Sequence, residues 1–148
     1  MWIKLIKNKK GHSIIEMLLV LAITIILLFF TSFSILPLQE SLTKKNFISL
    51  LKADLYYLQS YAINKKEKVV LQFFPYGSKY SASVSGGESL LVRPLPDGIS
   101  QIPHSSINSI TFYPNGNTDR FGTISYVAGG KLIKVSFHIG QGRFYVQE

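Results

Sequence analysis

The residues of this chain that could carry out chemistry are few and mostly scattered. The sequence holds eight carboxylates and three histidines, and it has no cysteine, which excludes a disulfide scaffold, a thiolate zinc site and a cysteine nucleophile. No two carboxylates have a spacing that suggests an acid–base dyad. His12, His104 and His138 lie far apart in sequence, and a metal site built from the last two is a less common arrangement than two surface histidines. We therefore predict that the chain is not an enzyme and holds no cofactor and no metal.

One loop carries part of a metal-binding pattern. Asn115, Asn117 and Asp119 alternate as in the first half of a calcium-binding loop, but Tyr126 stands where the bidentate glutamate would be needed. Asx hydrogen bonds within a turn account for the three polar residues. The glycine-rich segments "SGGES" and "AGGKL" also lack the spacing of a phosphate-binding loop. These segments are therefore interpreted as turns.

One carboxylate differs from the others because of its surroundings. Glu16 is the only charged residue in the apolar stretch "SIIEMLLVLAITIILLFF", which follows a basic segment. A carboxylate embedded in lipid or in a hydrophobic core costs several kcal/mol unless it is hydrated or paired. On its position alone, Glu16 is compatible both with a hydrated carboxylate at a membrane interface and with a functional one.

The stretch from Met17 to Leu36 predicts a membrane-spanning helix, because only Thr24, Thr31, Ser32 and Ser34 interrupt its apolar residues. A helix of this length spans about 30 Å, the thickness of a hydrocarbon core. Pro37 follows directly and predicts either a kink or the end of the helix.

The charges before this stretch predict its orientation. Four lysines and no acidic residue precede Gly11, so half of the net charge of +8 lies in the first residues. This asymmetry favours a cytoplasmic N-terminus and a C-terminal part outside the membrane. A secretory signal peptide is the alternative, but its apolar region would be about 7–15 residues long and would end at a small-residue cleavage site.

The segment "KGHSIIEMLLVLAI" resembles the class III signal of type IV pilins and pseudopilins. That signal has a short basic leader, a glycine before the cleavage site, and a glutamate as the fifth residue of the mature chain; Gly11, His12 and Glu16 match these positions. The resemblance implies that a prepilin peptidase cleaves between Gly11 and His12, and that the new amino terminus on His12 is methylated. It also implies a role of Glu16 in assembly, where its carboxylate pairs with the terminal ammonium of a neighbouring subunit and fixes the register of the helices.

The residues after Pro37 predict an amphipathic helix that packs against a sheet. Its apolar stripe has spacings of three and four and consists of Ile48, Leu51, Leu55, Leu58 and Ala62. Charged residues are expected off this stripe, namely Lys44, Lys45, Lys52 and Asp54. A coiled-coil seam is the alternative, although the pattern covers too few heptads to require one.

The remaining sequence predicts β-structure. Strand-like segments separated by turn residues occupy 68–74, 79–84, 88–93, 109–113, 122–127, 131–139 and 143–147. Residues 94–106, with three prolines, are expected to form a loop. The fold class is therefore α+β, a long N-terminal helix packed on a C-terminal antiparallel sheet. The expected organisation is a leader (1–11), a transmembrane and assembly helix (12–36), an amphipathic helix (37–66) and a β-sheet head (67–148).

The C-terminal segments "ITFYPNGNTDRFGTISY" and "KLIKVSFHIGQGRFYV" resemble the end of minor pseudopilins related to the H component of type II secretion. Over nearly its whole length the chain resembles the minor pseudopilins of Gram-positive competence systems. The resemblance implies a type IV pilin-like fold and a structural subunit of a competence pseudopilus needed for DNA uptake in transformation. It implies a location in the cell membrane and, after processing, in a pseudopilus at the cell surface. The implied partners are membrane lipid, other pseudopilins, the prepilin peptidase, an assembly ATPase and a polytopic membrane platform protein.

Two alternatives stay open. The chain could be a minor pseudopilin of a type II secretion or type IV pilus system, or a single-pass membrane-anchored binding module that does not polymerise. Basic residues of the head are also candidate contacts with DNA, through phosphates and neighbouring aromatic rings: Arg120, Lys131, Lys134 and Arg143. In the alternative interpretation, lysines cover the solvent-facing side of the sheet and aromatic residues fill its inner side.

Overall fold

The computed structural model of the chain describes residues 13–138, 140 and 142–147, except the side chains at 30–38. A long helix, α1 (Ile14–Lys65), is followed by eight strands with a short 3-10 turn (Pro75–Gly77) after the first of them. The strands are β1 (Val69–Phe74), β2 (Lys79–Val84), β3 (Ser89–Pro94), β4 (Ile99–Gln101), β5 (Ser109–Phe112), β6 (Gly122–Ala128), β7 (Lys131–Phe137) and β8 (Phe144–Gln147). The predicted α+β class, with a long N-terminal helix packed on antiparallel β-structure, is confirmed.

The chain divides into two compact units, and the boundary lies between Leu38 and Gln39. The first contains the N-terminal part of α1. The second, called the head below, contains the rest of α1 and all strands. The helix α1 includes Pro37 and does not end there.

In the head, α1 buries the stripe that the sequence predicts. All five apolar residues of that stripe are at most 4% exposed, and Phe47 extends it towards the N-terminus. The ring of Phe47 meets the ring of Tyr126 edge-on at 5.1 Å between centroids. The helix ends at Lys65, and Lys66 adopts a left-handed φ of 59°, a conformation common just after a helix end.

The β-structure forms two four-stranded antiparallel sheets rather than the single sheet that the sequence predicted. The first sheet has the order β3-β2-β1-β5 and the second the order β4-β6-β7-β8. The predicted loop 94–106 is also corrected, because it contains β4, which pairs with β6. A strand of three residues between two prolines is too short to show a period in the sequence.

The buried faces of both sheets form one core with α1. Alternate residues of the strands point inwards, as in β7, where Ile133, Val135 and Phe137 are at most 2% exposed. Gly129 and Gly130 connect β6 to β7 with φ values of 54° and 73°, the two positive angles of a type I′ hairpin turn. The tight hairpin predicted from "AGG" is therefore confirmed.

Among the residues that the structure describes, no helix combines the length and the hydropathy of a membrane span. The predicted span, 17–36, includes positions 30–36, where the side chains lie outside the description. The predicted leader, residues 1–11, lies wholly outside the described residues.

Candidate assembly surface

Glu16 lies in the first turn of α1 and is exposed. Ser13 begins this turn, because its carbonyl oxygen accepts hydrogen bonds from the backbone N–H groups of Glu16 at 2.9 Å and Met17 at 3.2 Å. A carboxylate in the first turn interacts favourably with the positive end of the helix dipole. Gly11 and His12, the predicted cleavage site and methylated residue, lie outside the described residues.

The helix surface around and after Glu16 is apolar on all sides. Thirteen large apolar side chains between Ile14 and Phe29 are each exposed by 48% or more, and together they are called the apolar helix surface below. The hydroxyl of Thr24 donates a hydrogen bond to the carbonyl oxygen of Leu21 at 2.8 Å, so this polar group is satisfied within the helix. Burial of one such apolar side chain is worth about 1.5–3 kcal/mol. A helix that is apolar all round is stable only against lipid or other apolar protein surfaces.

In the head, Gln59 joins the two C-terminal motifs to α1. Its side-chain Nε2 donates hydrogen bonds to the carbonyl oxygen of Gly116 at 2.9 Å and to that of Gly142 at 3.5 Å. Gly116 belongs to the "PNG" segment and Gly142 to the "GQGR" segment. One side chain of α1 therefore holds two turns, one between β5 and β6 and the other between β7 and β8.

The glycines of the two motifs are required by the geometry at this junction. Gly142 has a φ of +58°, and a Cβ atom there would collide with the carbonyl oxygen of Gly116 and the amide of Gln59. Gly116 has a φ of +81°, and a Cβ atom there would lie 3.2 Å from Cδ1 of Ile63. The C-terminal motifs thus have a structural basis in the close approach of two turns and the helix.

Asp54 is buried, which corrects the prediction that it lies off the buried stripe of α1. Only 5% of the residue is exposed, and its Oδ2 accepts a hydrogen bond from the hydroxyl of Tyr80 at 2.7 Å. Arg93 donates from Nε to Oδ2 at 3.1 Å and from its terminal nitrogen to Oδ1 at 3.3 Å. Asp54 is three residues after Leu51 and four before Leu58, so its spacing from buried residues was the signal that the sequence interpretation missed.

The buried polar groups of the head have distinct electrostatic environments. Burial, together with the hydrogen bond to Asp54, raises the pKa of the Tyr80 hydroxyl well above its usual value, and the same carboxylate raises the pKa of Arg93. Burial alone raises the pKa of Tyr126. The hydroxyl of Tyr126 and Nε2 of Gln101 are buried and have no hydrogen-bond partner within the described part of the chain.

Two of the four predicted DNA contacts lie at the same end of the second sheet. Arg120 precedes β6, whose first residue pairs with Phe137 at the end of β7. Arg143 directly precedes β8, and its carbonyl oxygen accepts a hydrogen bond from the backbone of His138 at 3.0 Å. The Arg120 guanidinium forms an ion pair with Asp119 at 2.8 Å.

The other two candidates lie elsewhere on the second sheet. Lys131 begins β7, about 24 Å along the strand from the end where Arg143 lies. Lys134 is exposed between the buried residues Ile133 and Val135, so it points to the outer face. The structure thus brings Arg120 and Arg143 to one end of the sheet but does not gather all four cations there.

The polar loop after β5 has the turn geometry that the sequence predicts. The side-chain Oδ1 of Asn115 accepts a hydrogen bond from the backbone of Asn117 at 3.0 Å, and Oδ1 of Asp119 accepts one from the backbone of Thr111 at 2.8 Å. Within the described residues, no group of three or more histidine, cysteine, aspartate or glutamate side chains could hold a metal ion.

A long helix whose C-terminal part packs on antiparallel sheets is the architecture of the type IV pilins. The structure matches crystal structures of the type IV minor pilin FimU of Pseudomonas aeruginosa (strain PAO1) in two crystal forms. The TM-scores are 0.56 and 0.53 at 20% sequence identity, and the matches cover 72% and 68% of this chain and 92% and 89% of FimU. The chain therefore has a type IV pilin-like fold.

The sequence is similar to that of one curated protein over nearly its whole length. The competence protein ComGD of Bacillus subtilis (strain 168) is 26% identical over 142 residues, which cover 96% of each chain. No family model matches the sequence. The chain thus resembles ComGD in sequence and the type IV pilins in fold, which confirms the resemblance that the sequence motifs indicated.

Proposed function

We propose that this chain is a minor pseudopilin, a non-enzymatic structural subunit of a competence pseudopilus that takes up DNA in transformation. The observation that carries the proposal is the apolar helix surface, which bears one carboxylate, Glu16, in its first turn. The head buries its own core, whereas the apolar helix surface is exposed along the chain from Ile14 to Phe29. This surface lies in the membrane before assembly and contacts the helices of neighbouring subunits after it.

Processing prepares the helix for assembly. A prepilin peptidase removes residues 1–11 by cleavage between Gly11 and His12, and the new amino terminus on His12 is methylated. The carboxylate of Glu16 then pairs with the amino terminus of an adjacent subunit. An unpaired buried charge costs several kcal/mol, so this pairing favours one axial offset between helices over the others.

The charges of the precursor determine its orientation in the membrane. The lysines before Gly11 keep the N-terminus in the cytoplasm, and the head lies outside the membrane. The chain acts with other pseudopilins, and an assembly ATPase and a polytopic membrane platform protein drive its incorporation into the pseudopilus. Similarity to ComGD over 96% of both chains supports this assignment to a competence system.

Mass spectrometry of the membrane-bound chain tests the processing step. We expect a chain that begins at His12 and carries one added methyl group, and a Gly11→Val variant that keeps its leader. A wild-type chain that stays full length in the membrane would contradict the proposal and favour an anchored binding module that does not polymerise.

A deletion strain tests the assignment to competence. We expect loss of DNA uptake with normal protein export and normal surface pili, restored when the wild-type gene is returned. Normal uptake with a defect in export or in pili would assign the chain instead to a type II secretion or type IV pilus system.

A further inference from the structure

The two sheets have four edge strands, and two of these edges are blocked by local features. The outer edge of β5 is covered by the loop that follows it, since Asp119 donates from its backbone to Thr111 at 3.0 Å and Tyr113 donates to Asn117 at 2.9 Å. The edge strand β4 has only three residues, and prolines flank it at positions 96 and 103. Short strands and prolines prevent the addition of a further strand.

The edge strand of the first sheet, β3, is also interrupted. Its pairing with β2 shifts register between Ala82 and Ser83, and the strand ends at Pro94. Arg93 places a charge near this end and is held by Asp54. Bulges, prolines and charges are the usual features that protect an edge from pairing with another chain.

The fourth edge strand, β8, has four residues and lacks the register shift, the prolines and the charge that protect the other edges. It pairs with β7 in a regular register, and its sequence "FYVQ" contains no proline and no charge. Aromatic and β-branched residues are the types that favour strand pairing.

The backbone groups on the outer side of β8 can be identified from its pairing with β7. The N–H of His138 donates to the carbonyl of Arg143 at 3.0 Å, so these two residues form a hydrogen-bonded pair. In an antiparallel ladder such pairs alternate, and the amide and carbonyl groups of Phe144 and Val146 therefore point away from β7. Among the described residues, no backbone hydrogen bond to another element reaches these groups.

An open groove lies beside this edge. Its volume is about 260 Å³, and it is lined by α1 and the start of β8, with the ring of Tyr56 4.8 Å from the ring of Phe144. Tyr56 of α1 is 61% exposed and Tyr145 of β8 is 54% exposed, so solvent reaches the groove from both of its walls. An added strand would thus find unpaired backbone groups and an aromatic surface against which its alternate side chains could pack.

We propose that the outer edge of β8 binds an extended strand of a different pilin-like subunit, which continues the second sheet across the contact. The inference rests on the proposed function, which supplies the other subunits. The chemistry of the edge selects a polypeptide strand, because its unpaired donors and acceptors repeat at the spacing of a β-ladder. Antiparallel pairing of β8 with β8 of a second copy would close a symmetric dimer, whereas a filament subunit needs a contact between different surfaces.

Photo-crosslinking in cells that produce the complete system tests this contact. A photo-reactive amino acid at Gln147 of the full chain should cross-link to another pilin-like subunit, within one extended segment identified by mass spectrometry. The variant Val146→Pro removes an outward N–H without breaking a bond to β7, and we expect it to reduce the cross-link about tenfold.

A matched control uses the same substitution on the protected edge. The N–H of Leu95 donates to Ser78 at 2.8 Å, and the alternation from this pair makes the N–H of Val92 in β3 point outwards as well. We expect Val92→Pro to leave the cross-link unchanged. Equal cross-linking in the Val146→Pro chain, no cross-link in the wild type, or a cross-linked peptide from a second copy of this chain would each overturn the proposal.

Hydrogen exchange of the wild-type chain gives a second measurement that does not depend on a variant folding. The amides of residues 144–147 should exchange more slowly in the assembled fraction than in the detergent-solubilised chain, and equal exchange would overturn the proposal.

Leader removal and recovery in filaments are measured in the same cells. Normal processing and assembly without a β8 contact would overturn only this inference, whereas an unprocessed chain would contradict the proposed function itself.

Discussion

Two stretches of the same helix differ in the exposure of their apolar side chains. Between residues 14 and 29 the large apolar side chains are exposed by 48% or more, whereas between 47 and 62 the apolar stripe is at most 4% exposed. The second stretch has its partner within the chain, in the two sheets of the head. Under the proposed function, the first stretch has its partner outside this chain, in lipid or in another subunit.

The polar residues of the second stretch have partners far along the chain. Asp54 binds Tyr80 and Arg93, and Gln59 binds the turns at Gly116 and Gly142. These contacts make the head a unit that depends on its own residues. Changes in the head should therefore lower its stability, and changes in the apolar helix surface should affect assembly without loss of head stability.

The largest effect on the head is expected from Gly142→Ala. A left-handed φ and a collision with the carbonyl oxygen of Gly116 should lower the free energy of unfolding by about 3 kcal/mol or more. Urea unfolding of the full chain in detergent, followed by the near-ultraviolet circular dichroism of its tyrosines, measures this change.

The control is Gly130→Ala, at a φ of +73° with nothing near the added Cβ atom. This variant should lose only about 1 kcal/mol. Equal losses in both variants would show that the junction of the two turns and α1 contributes nothing to stability.

Asp54→Ala should produce the next largest loss, about 2–3 kcal/mol, because Tyr80 and Arg93 both lose their acceptor. The same unfolding measurement applies. Asp97→Ala at an exposed position is the control and should change stability by less than about 0.5 kcal/mol. A neutral Asp54→Ala variant would contradict a stabilising role of this buried carboxylate.

Two tyrosines of equal burial should respond differently to loss of the hydroxyl. Tyr80→Phe leaves Asp54 without one donor and should cost about 1.5 kcal/mol, whereas Tyr126→Phe removes a buried hydroxyl with no partner among the described residues and should be neutral or stabilising. Both pKa values are raised in the folded state, so the contribution of these two tyrosines to stability should be constant below their unfolded pKa of 10.0 and fall as the pH rises above it. A fall of equal steepness in the double phenylalanine variant would show that these tyrosines do not cause it.

The smallest effect concerns the surface of the head. If Arg120 and Arg143 contact DNA, as predicted from the sequence, replacement of both by alanine should weaken binding by the purified full chain. It should also reduce the slope of log affinity against log salt by about one to two. Lys52→Ala, at an exposed position of α1 that is not among the predicted contacts, is the control. No DNA binding by the wild type, or an unchanged salt slope in the double variant, would dismiss this contact.

Local patterns in the sequence predicted the elements of the head, but not the contacts between them. The stripe on α1 and most strand limits follow from periods of 3.6 and 2, which short segments already display. Asp54 was placed off the stripe despite its helical spacing, because the partners that make its burial favourable, Tyr80 and Arg93, are 26 and 39 residues away. Gln59 was missed for the same reason, since its partners lie 57 and 83 residues further on. The division into two sheets likewise depends on strand order, which no single segment contains.

The role of Glu16 is tested most directly by the amount of Glu16→Gln protein recovered in sheared filaments, with Glu40→Gln on the same helix as the control. Both carboxylates are exposed on α1, and only Glu16 lies within the apolar helix surface. We expect Glu16→Gln to be cleaved normally but recovered in filaments at least about tenfold less than the wild type. The reason is that loss of an ion pair between apolar helices costs more than about 1.4 kcal/mol, which corresponds to a factor of about ten. Glu40→Gln should assemble normally. Normal cleavage, normal filament yield and undiminished DNA uptake in the Glu16→Gln strain would contradict electrostatic registration by this carboxylate.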